Sequence, residues 1–248
     1  MMPADCFWLA PAMDALRRAQ RAARLGHALL IHADPGCGGE LLAAWATQLV
    51  LCRQRGAPCG ECIDCRRCSA AMHPDVFAVQ PTGDSKQIRV ADVRDFCAEL
   101  ALTSHGGGYR VGVVAPADSL NAAAANSLLK TLEEPPPRTL LVLVSATPSR
   151  LPATVRSRCV RLRVTAPGRT ATFAWLGERG KTGDLIAAAD TLGDAPLTLL
   201  EADLAGIGRV RAECVRALDE VERGRAEPSQ LGERWSREDY ALRLACIE

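Results

Sequence analysis

The sequence predicts an α/β fold in which a parallel β-sheet is flanked by helices, followed by a smaller helical region. Two patterns lead to this prediction. Up to about residue 165, short apolar runs typical of buried strands alternate with longer amphipathic segments. Beyond that point only helical periodicity is found. We therefore expect an α/β domain at 1–165, a small helical domain at 166–205, and the start of another helical domain at 206–248.

The individual elements follow from the same periodicities. The strand candidates are 27–33, 75–81, 106–118, 139–146 and 159–164. The helix candidates are 11–25, 40–52, 89–103 and 121–137, then 172–180, 184–191, 196–204 and 207–227. An apolar helical pattern from Tyr240 to Ile247 reaches the last residues without a Gly or Pro to stop it. We therefore expect the last helical domain to be truncated.

Composition limits the class of protein. The chain has 248 residues, of which 48% are hydrophobic, and a net charge of +1, so it can bury a sizeable core. The near-neutral charge argues against a surface devoted as a whole to nucleic acid. No apolar run is long enough to span a membrane, and no signal peptide is visible. We expect a cytoplasmic protein whose eleven cysteines are reduced or bound to metal.

The segment "HADPGCGGELLA" (32–43) resembles a phosphate-binding loop, G-x-x-x-x-G-K-[ST], between a strand and a helix. Glycines stand at Gly36, Gly38 and Gly39. Aligned on Gly38, the position of the phosphate-binding lysine holds Gly39, and the position of the Mg²⁺-binding hydroxyl holds Glu40. A carboxylate there would face a triphosphate. The loop is therefore predicted to be degenerate, without the groups that bind ATP.

Five cysteines follow the helix after this loop. They are Cys52, Cys59, Cys62, Cys65 and Cys68. Paired C-x₂-C spacings supply the four tetrahedral ligands of a structural zinc site, and five candidates compete for four places. An iron–sulfur cluster is less well supported, because the ferredoxin run needs a longer last gap followed by Pro. Free thiols are the other alternative. We interpret His73 as a turn or capping residue rather than a ligand.

Two further motifs carry a resemblance to a known family. They are "NSLLKTLEEPP" (126–136) and "ATVRSRC" (153–159). With the cysteine cluster placed after the loop helix, they resemble the clamp loader of bacterial DNA polymerase III, an AAA+ family. The likeness is nearer to the delta-prime type than to the ATPase gamma/tau type. It covers about residues 8–204 and implies a P-loop AAA+ sheet with a zinc module at 52–68, then a lid and a collar.

The resemblance assigns roles to residues of this chain. The zinc ligands correspond to Cys52, Cys59, Cys62 and Cys65, and Cys68 is an alternative to Cys52 because the gap between Cys52 and Cys59 is shorter than the family's. The family's ATPases carry an Asp-Glu pair where Pro116 and Ala117 stand here, and neither side chain can hold Mg²⁺. Asp118 is displaced by one residue from that pair.

Arg158, in "RSRC", resembles an arginine finger that reaches the ATP of a neighbouring subunit, with Arg156 as the nearby alternative. The resemblance therefore implies a delta-prime type subunit that binds zinc, needs no ATP and is not an enzyme by itself. It would help to load the sliding clamp onto primed DNA. Its partners would be the gamma/tau ATPase subunits and the delta subunit, with the clamp and DNA reached through the assembled loader.

Two alternative functions stay open from the sequence. The first is a clamp-loader ATPase with an atypical site, which would need Asp118 or a similar group as its catalytic carboxylate. The second is a zinc-ribbon module that binds nucleic acid through Arg66 and Arg67, between the last two cysteines of the cluster.

Overall fold

The computed structural model describes residues 3–54, 58–83, 86–236 and 240–246. It divides into two compact units, Met1–Thr165 and Ala166–Glu248. The first contains the sheet and the second contains only helices among its described residues. The finer division of the second unit near residue 205 stays a prediction.

A five-stranded sheet forms the centre of the first unit. Its strands are β1 (Ala28–His32), β2 (Val76–Val79), β3 (Arg110–Val114), β4 (Thr139–Ser145) and β5 (Val160–Arg163). All neighbouring strands are parallel, in the order β2-β3-β4-β1-β5. β4 is buried along its whole length, which explains its continuous apolar sequence. The predicted parallel sheet with flanking helices is confirmed.

Among the described residues, six α-helices accompany the sheet. They are α1 (Ala10–Arg21), α2 (Gly39–Leu51), α3 (Ile63–Ser69), α4 (Val90–Ala101), α5 (Ala122–Glu133) and α6 (Ala153–Arg156). α2 packs on β1 and β4 and contacts α1 and α3. On the other face of the sheet, α4 and α5 bury a second core with strand residues that include Leu30 and Leu141. The sheet is thus covered on both faces.

The second unit consists of helices. They are α7 (Arg169–Gly177), α8 (Leu185–Leu192), α9 (Pro196–Glu201), α10 (Leu204–Glu222), α11 (Pro228–Trp235) and α12 (Tyr240–Ala245). α10 packs against α8 and α12. Cys214 and Ala217 of α10 form a small core with Trp235.

The structure also corrects the sequence-based elements. The helix predicted at 207–227 ends at Glu222, where Gly224 adopts a left-handed φ of +67° and stops it. The short helices α3, α6 and α11 were not predicted. The helical pattern beginning at Tyr240 forms α12, while Ile247 lies outside the described residues. None of the described helices has the length and apolarity needed to cross a membrane.

Candidate functional site

The glycine-rich segment forms a turn between a strand and a helix. β1 ends at His32 and α2 begins at Gly39. Gly36 and Gly38 have φ values of +71° and +88°, in the left-handed region that glycine adopts without a steric penalty. Strand, turn and helix therefore follow one another as in a phosphate-binding loop.

No space is left for a side chain at Gly39. A Cβ atom placed there would lie 2.7 Å from the Cβ of Ala33 and 3.0 Å from Cγ1 of Val144. Both contacts are shorter than normal van der Waals separation, and both neighbours are buried. The position that holds lysine in a working phosphate loop is thus closed by packing against the end of β4.

Glu40 is exposed in the first turn of α2. A carboxylate at a helix N-terminus interacts favourably with the helix dipole, which is the interaction that a phosphate group would otherwise make. This helix start therefore carries its own negative charge where a nucleotide-binding loop presents a hydroxyl.

The acidic half of an ATP site is also missing. β3 ends at Val114, and the three residues that follow, 115–117, have no carboxylate. Asp118 comes next, and its carboxylate accepts hydrogen bonds from Ser145 Oγ (2.5 Å), Ala146 N (2.7 Å) and Thr147 N (3.2 Å). Asp118 therefore caps the carboxyl end of β4.

The structure brings four cysteine thiols together. The sulfur atoms of Cys52, Cys59, Cys62 and Cys65 all lie within 4.8 Å of one another. Cys52 follows α2, and Cys62 and Cys65 belong to the start of α3. Cys62 N donates to Cys59 Sγ (3.3 Å), and Cys65 N donates to Cys62 Sγ (3.4 Å). Such N–H···S bonds stabilise thiolates.

The electrostatics of this cluster suit a cation. Backbone N–H groups of Cys62 and Glu61 lower the pKa of Cys59 to about 6. Burial raises the pKa values of Cys52 and Cys65, because a desolvated thiolate is unfavourable unless a positive charge lies close to it. A divalent metal would supply that charge, and four thiolates are the ligand set of closed structural zinc sites. The cluster could therefore hold a metal ion of this kind.

Cys68 and His73 lie outside the group of four thiols. Burial is the main reason why the pKa of Cys68 is raised to about 11. His73 is buried, and its Nδ1 accepts a hydrogen bond from Asp75 N (3.1 Å), while Nε2 lies 3.4 Å from Asp64 Oδ1. His73 thus stabilises the turn before β2, as the sequence analysis expects.

Arg158 lies at the opposite end of the strands from the glycine loop. It precedes β5, which runs parallel to β1, whereas the loop follows β1. β1 has five residues, and a strand of that length spans roughly 16 Å. Arg158 therefore cannot serve the loop of its own chain.

The guanidinium of Arg158 contacts Glu133 and Thr154 closely and Ser157 Oγ at 3.5 Å. Nη2 lies 2.6 Å from Glu133 Oε1, and Nη1 donates to the carbonyl oxygen of Thr154 (2.8 Å). The side chains of Arg158 and Glu133 are 35% and 49% exposed, so the pair is accessible to a partner. Arg156, the alternative finger, differs in that its Nε is buried without a hydrogen-bond partner. Sequence analysis did not single out Glu133, although it belongs to the "LLKTLEEPP" motif.

Comparison with known proteins identifies the family. The family model described as "DNA polymerase III, delta subunit" matches residues 9–167. DNA polymerase III subunit delta' of Pseudomonas aeruginosa is 38% identical over 225 residues, which are 88% of this chain and 67% of that protein. The chain belongs to the DNA polymerase III delta' family.

Other relatives agree with this assignment. Subunit delta' of Escherichia coli is 41% identical over 162 residues, 64% of this chain and 48% of that protein. Subunit tau of the same organism is 28% identical over 156 residues, 62% of this chain and 24% of the relative. This chain thus spans between about half and two thirds of the delta' relatives' length. The predicted resemblance to the delta-prime type is confirmed.

A solved structure shows the same fold. The crystal structure of a DNA polymerase III gamma subunit-related protein from Thermotoga maritima matches with a TM-score of 0.50 and 21% identity, covering 95% of this chain and 70% of that one. Together with the parallel sheet and the helices that follow it, this likeness confirms the predicted AAA+ type of fold.

Proposed function

We propose that this chain is a non-hydrolysing subunit of the delta' type in a DNA polymerase III clamp loader. In this role it helps to load the sliding clamp onto primed DNA and supplies Arg158 to the ATP site of a neighbouring subunit. Its partners are the gamma/tau ATPase subunits and the delta subunit. The clamp and DNA are reached through the assembled loader.

The main support is that both halves of the ATP site are replaced by groups with local packing roles. Methyl groups close the lysine position at Gly39. The nearest carboxylate after β3, Asp118, is occupied by hydrogen bonds to the end of β4. This arrangement argues against the alternative of an atypical ATPase, because Asp118 would have to break those bonds to hold Mg²⁺ or activate water.

The role of Arg158 is supported by its position. It stands at the amino end of the strands, remote from its own glycine loop, and its side chain is partly exposed. An arginine supplied in trans stabilises the charge that develops on the γ-phosphate and is worth roughly 10³–10⁵ in rate. In this proposal the chain keeps the fold of an ATPase to place this cation.

The four-cysteine cluster is proposed to bind a structural zinc ion through Cys52, Cys59, Cys62 and Cys65. Its four ligands leave no open position for substrate, so the metal would stabilise the insertion between α2 and β2. The nucleic-acid module hypothesis has no comparable support, since the net charge of +1 argues against a surface devoted to nucleic acid.

Titration calorimetry of the purified chain with ATP and Mg²⁺ tests the first part of the proposal. We expect no binding up to millimolar ATP, because the lysine and the acidic pair are absent. Micromolar, Mg²⁺-dependent binding would refute the degenerate-site argument. The metal content of the same sample, measured by mass spectrometry, should give one zinc ion per chain.

Substitution of Arg158 by alanine tests the second part in a reconstituted loader. Hydrolysis at the ATP site beside this subunit should fall by roughly 10³-fold or more. Arg156→Ala is the matched control and should leave that site's turnover close to wild type. An unchanged rate for Arg158→Ala, with assembly intact, would refute the finger.

A further inference from the structure

The contact between Arg158 and Glu133 joins two helices of the first unit. Glu133 is the last residue of α5, and Arg158 follows α6. Leu132, next to Glu133, and Cys159, next to Arg158, are both buried in the same hydrophobic core. The carboxylate and the guanidinium are therefore carried by backbone segments whose relative position is fixed by packing.

Glu133 occupies a position that helix electrostatics disfavour. The C-terminus of a helix carries a partial negative charge, so an acidic side chain in the last turn of α5 is unfavourable by itself. Arg158 places its positive charge 2.6 Å from that carboxylate and offsets the repulsion. Arg158 also donates to the carbonyl oxygen of Thr154 in α6. Arg158 follows the C-terminus of this helix, where a positive charge is favourable.

These contacts use only part of the guanidinium. Arginine has five N–H donors in a planar fork; Glu133 takes one hydrogen on Nη2, and Thr154 and Ser157 are the partners of Nη1. Nε–H and the second hydrogen on Nη2 have no hydrogen bond to the described residues and can reach a phosphate oxygen. The contacts thus limit the rotation of a long side chain that otherwise samples many rotamers.

We propose that Glu133 is a positioning residue for Arg158: its carboxylate holds the guanidinium in the orientation that meets the γ-phosphate of the neighbouring subunit. This inference rests on the proposed function. The ion pair is about half exposed, and such pairs contribute little to stability. The role of Glu133 should therefore be seen in catalysis and not in unfolding.

Glu133→Gln in the reconstituted loader tests this role. We expect kcat at the adjacent ATP site to fall about three- to tenfold, since a misplaced catalytic cation loses transition-state stabilisation, with KM for ATP unchanged. Glu134→Gln is the matched control, because Glu134 is the next residue, is exposed and forms no ion pair with any described residue. It should give wild-type kinetics. Thermal unfolding of both variants should match the wild type.

A double variant separates positioning from an independent effect. If Glu133 acts through Arg158, adding Glu133→Gln to Arg158→Ala should cause no further fall in kcat. Additive losses, equal kinetics for the two glutamine variants, or a faster rate for Glu133→Gln would each overturn the inference. If Arg158→Ala alone leaves kcat unchanged, the proposed finger and the inference both fail. If only Glu133→Gln is without effect, the finger stands and the positioning role fails.

Discussion

Replacing Gly39 by alanine should destabilise the protein, although alanine is normally the better helix residue. The added Cβ would lie 2.7 Å from the Cβ of Ala33 and 3.0 Å from Cγ1 of Val144. Ala33 directly follows β1, and Val144 belongs to the fully buried β4, so neither can move without shifting the sheet. The contact must be relieved by displacement of α2 or of the loop.

The magnitude follows from two opposing terms. Overpacking a well-packed site costs typically about 1–3 kcal/mol. Alanine recovers up to about 0.5–1 kcal/mol relative to glycine in a helix. The net loss should be about 1–2 kcal/mol, which for a domain of this size lowers Tm by about 2–8 °C.

Thermal unfolding followed by circular dichroism measures this effect. Gly208→Ala is the control, because Gly208 lies inside α10 with no heavy atom within 4 Å of the added Cβ, and this change should leave Tm unchanged or raise it. A Tm of Gly39→Ala equal to or above that of the wild type would show that the position tolerates a side chain. For the same steric reason, Gly39→Lys should fail to restore ATP binding.

Three further predictions concern the cysteines and Asp118. Cys62→Ser should remove bound zinc, measured by mass spectrometry, and lower Tm; full metal retention would contradict the ligand set. After chelation, iodoacetamide at pH 7 should modify Cys59 much faster than Cys159, because the pKa of Cys59 is about 6 and burial raises that of Cys159 to about 11. Acidification below pH 6 should slow the modification of Cys59 by protonating its thiolate, and equal rates for the two cysteines at pH 7 would refute the prediction. Asp118→Ala should cost about 1–3 kcal/mol by leaving the donors at the end of β4 unpaired, without changing ATP affinity.

The central strands of the sheet were predictable because they are buried on both faces. In β4, the buried residues 140–144 are all apolar, so the run stands out in the sequence. The loop was predictable for a different reason. Only glycine adopts the φ values at Gly36 and Gly38 without strain, which leaves a local signature between a strand and a helix.

Other features depend on contacts between distant segments and leave no local signature. Spacing alone allowed either Cys52 or Cys68 in the cluster, and the choice depends on where α2 ends relative to α3. The sequence alone allowed Asp118 to be interpreted as a displaced catalytic residue, because its hydrogen-bond partners at the end of β4 are 27 to 29 residues away. The short helix α6 has too few residues to show a helical period.

The residues at the two ends of the sheet therefore differ in their roles. At the carboxyl end, where an ATPase would bind phosphate, methyl groups fill the space beside Gly39 and a carboxylate caps β4. Those groups make contacts within the chain itself, and under the proposed function they exclude Mg²⁺-ATP. At the amino end, Arg158 is partly exposed, and its Nε–H and one Nη2 hydrogen form no bond to the described residues, so they are available to an external anion. A subunit that had merely lost its catalysis would have no reason to keep such a cation at the end remote from its own loop, which is why the pattern favours a role in a neighbour's site.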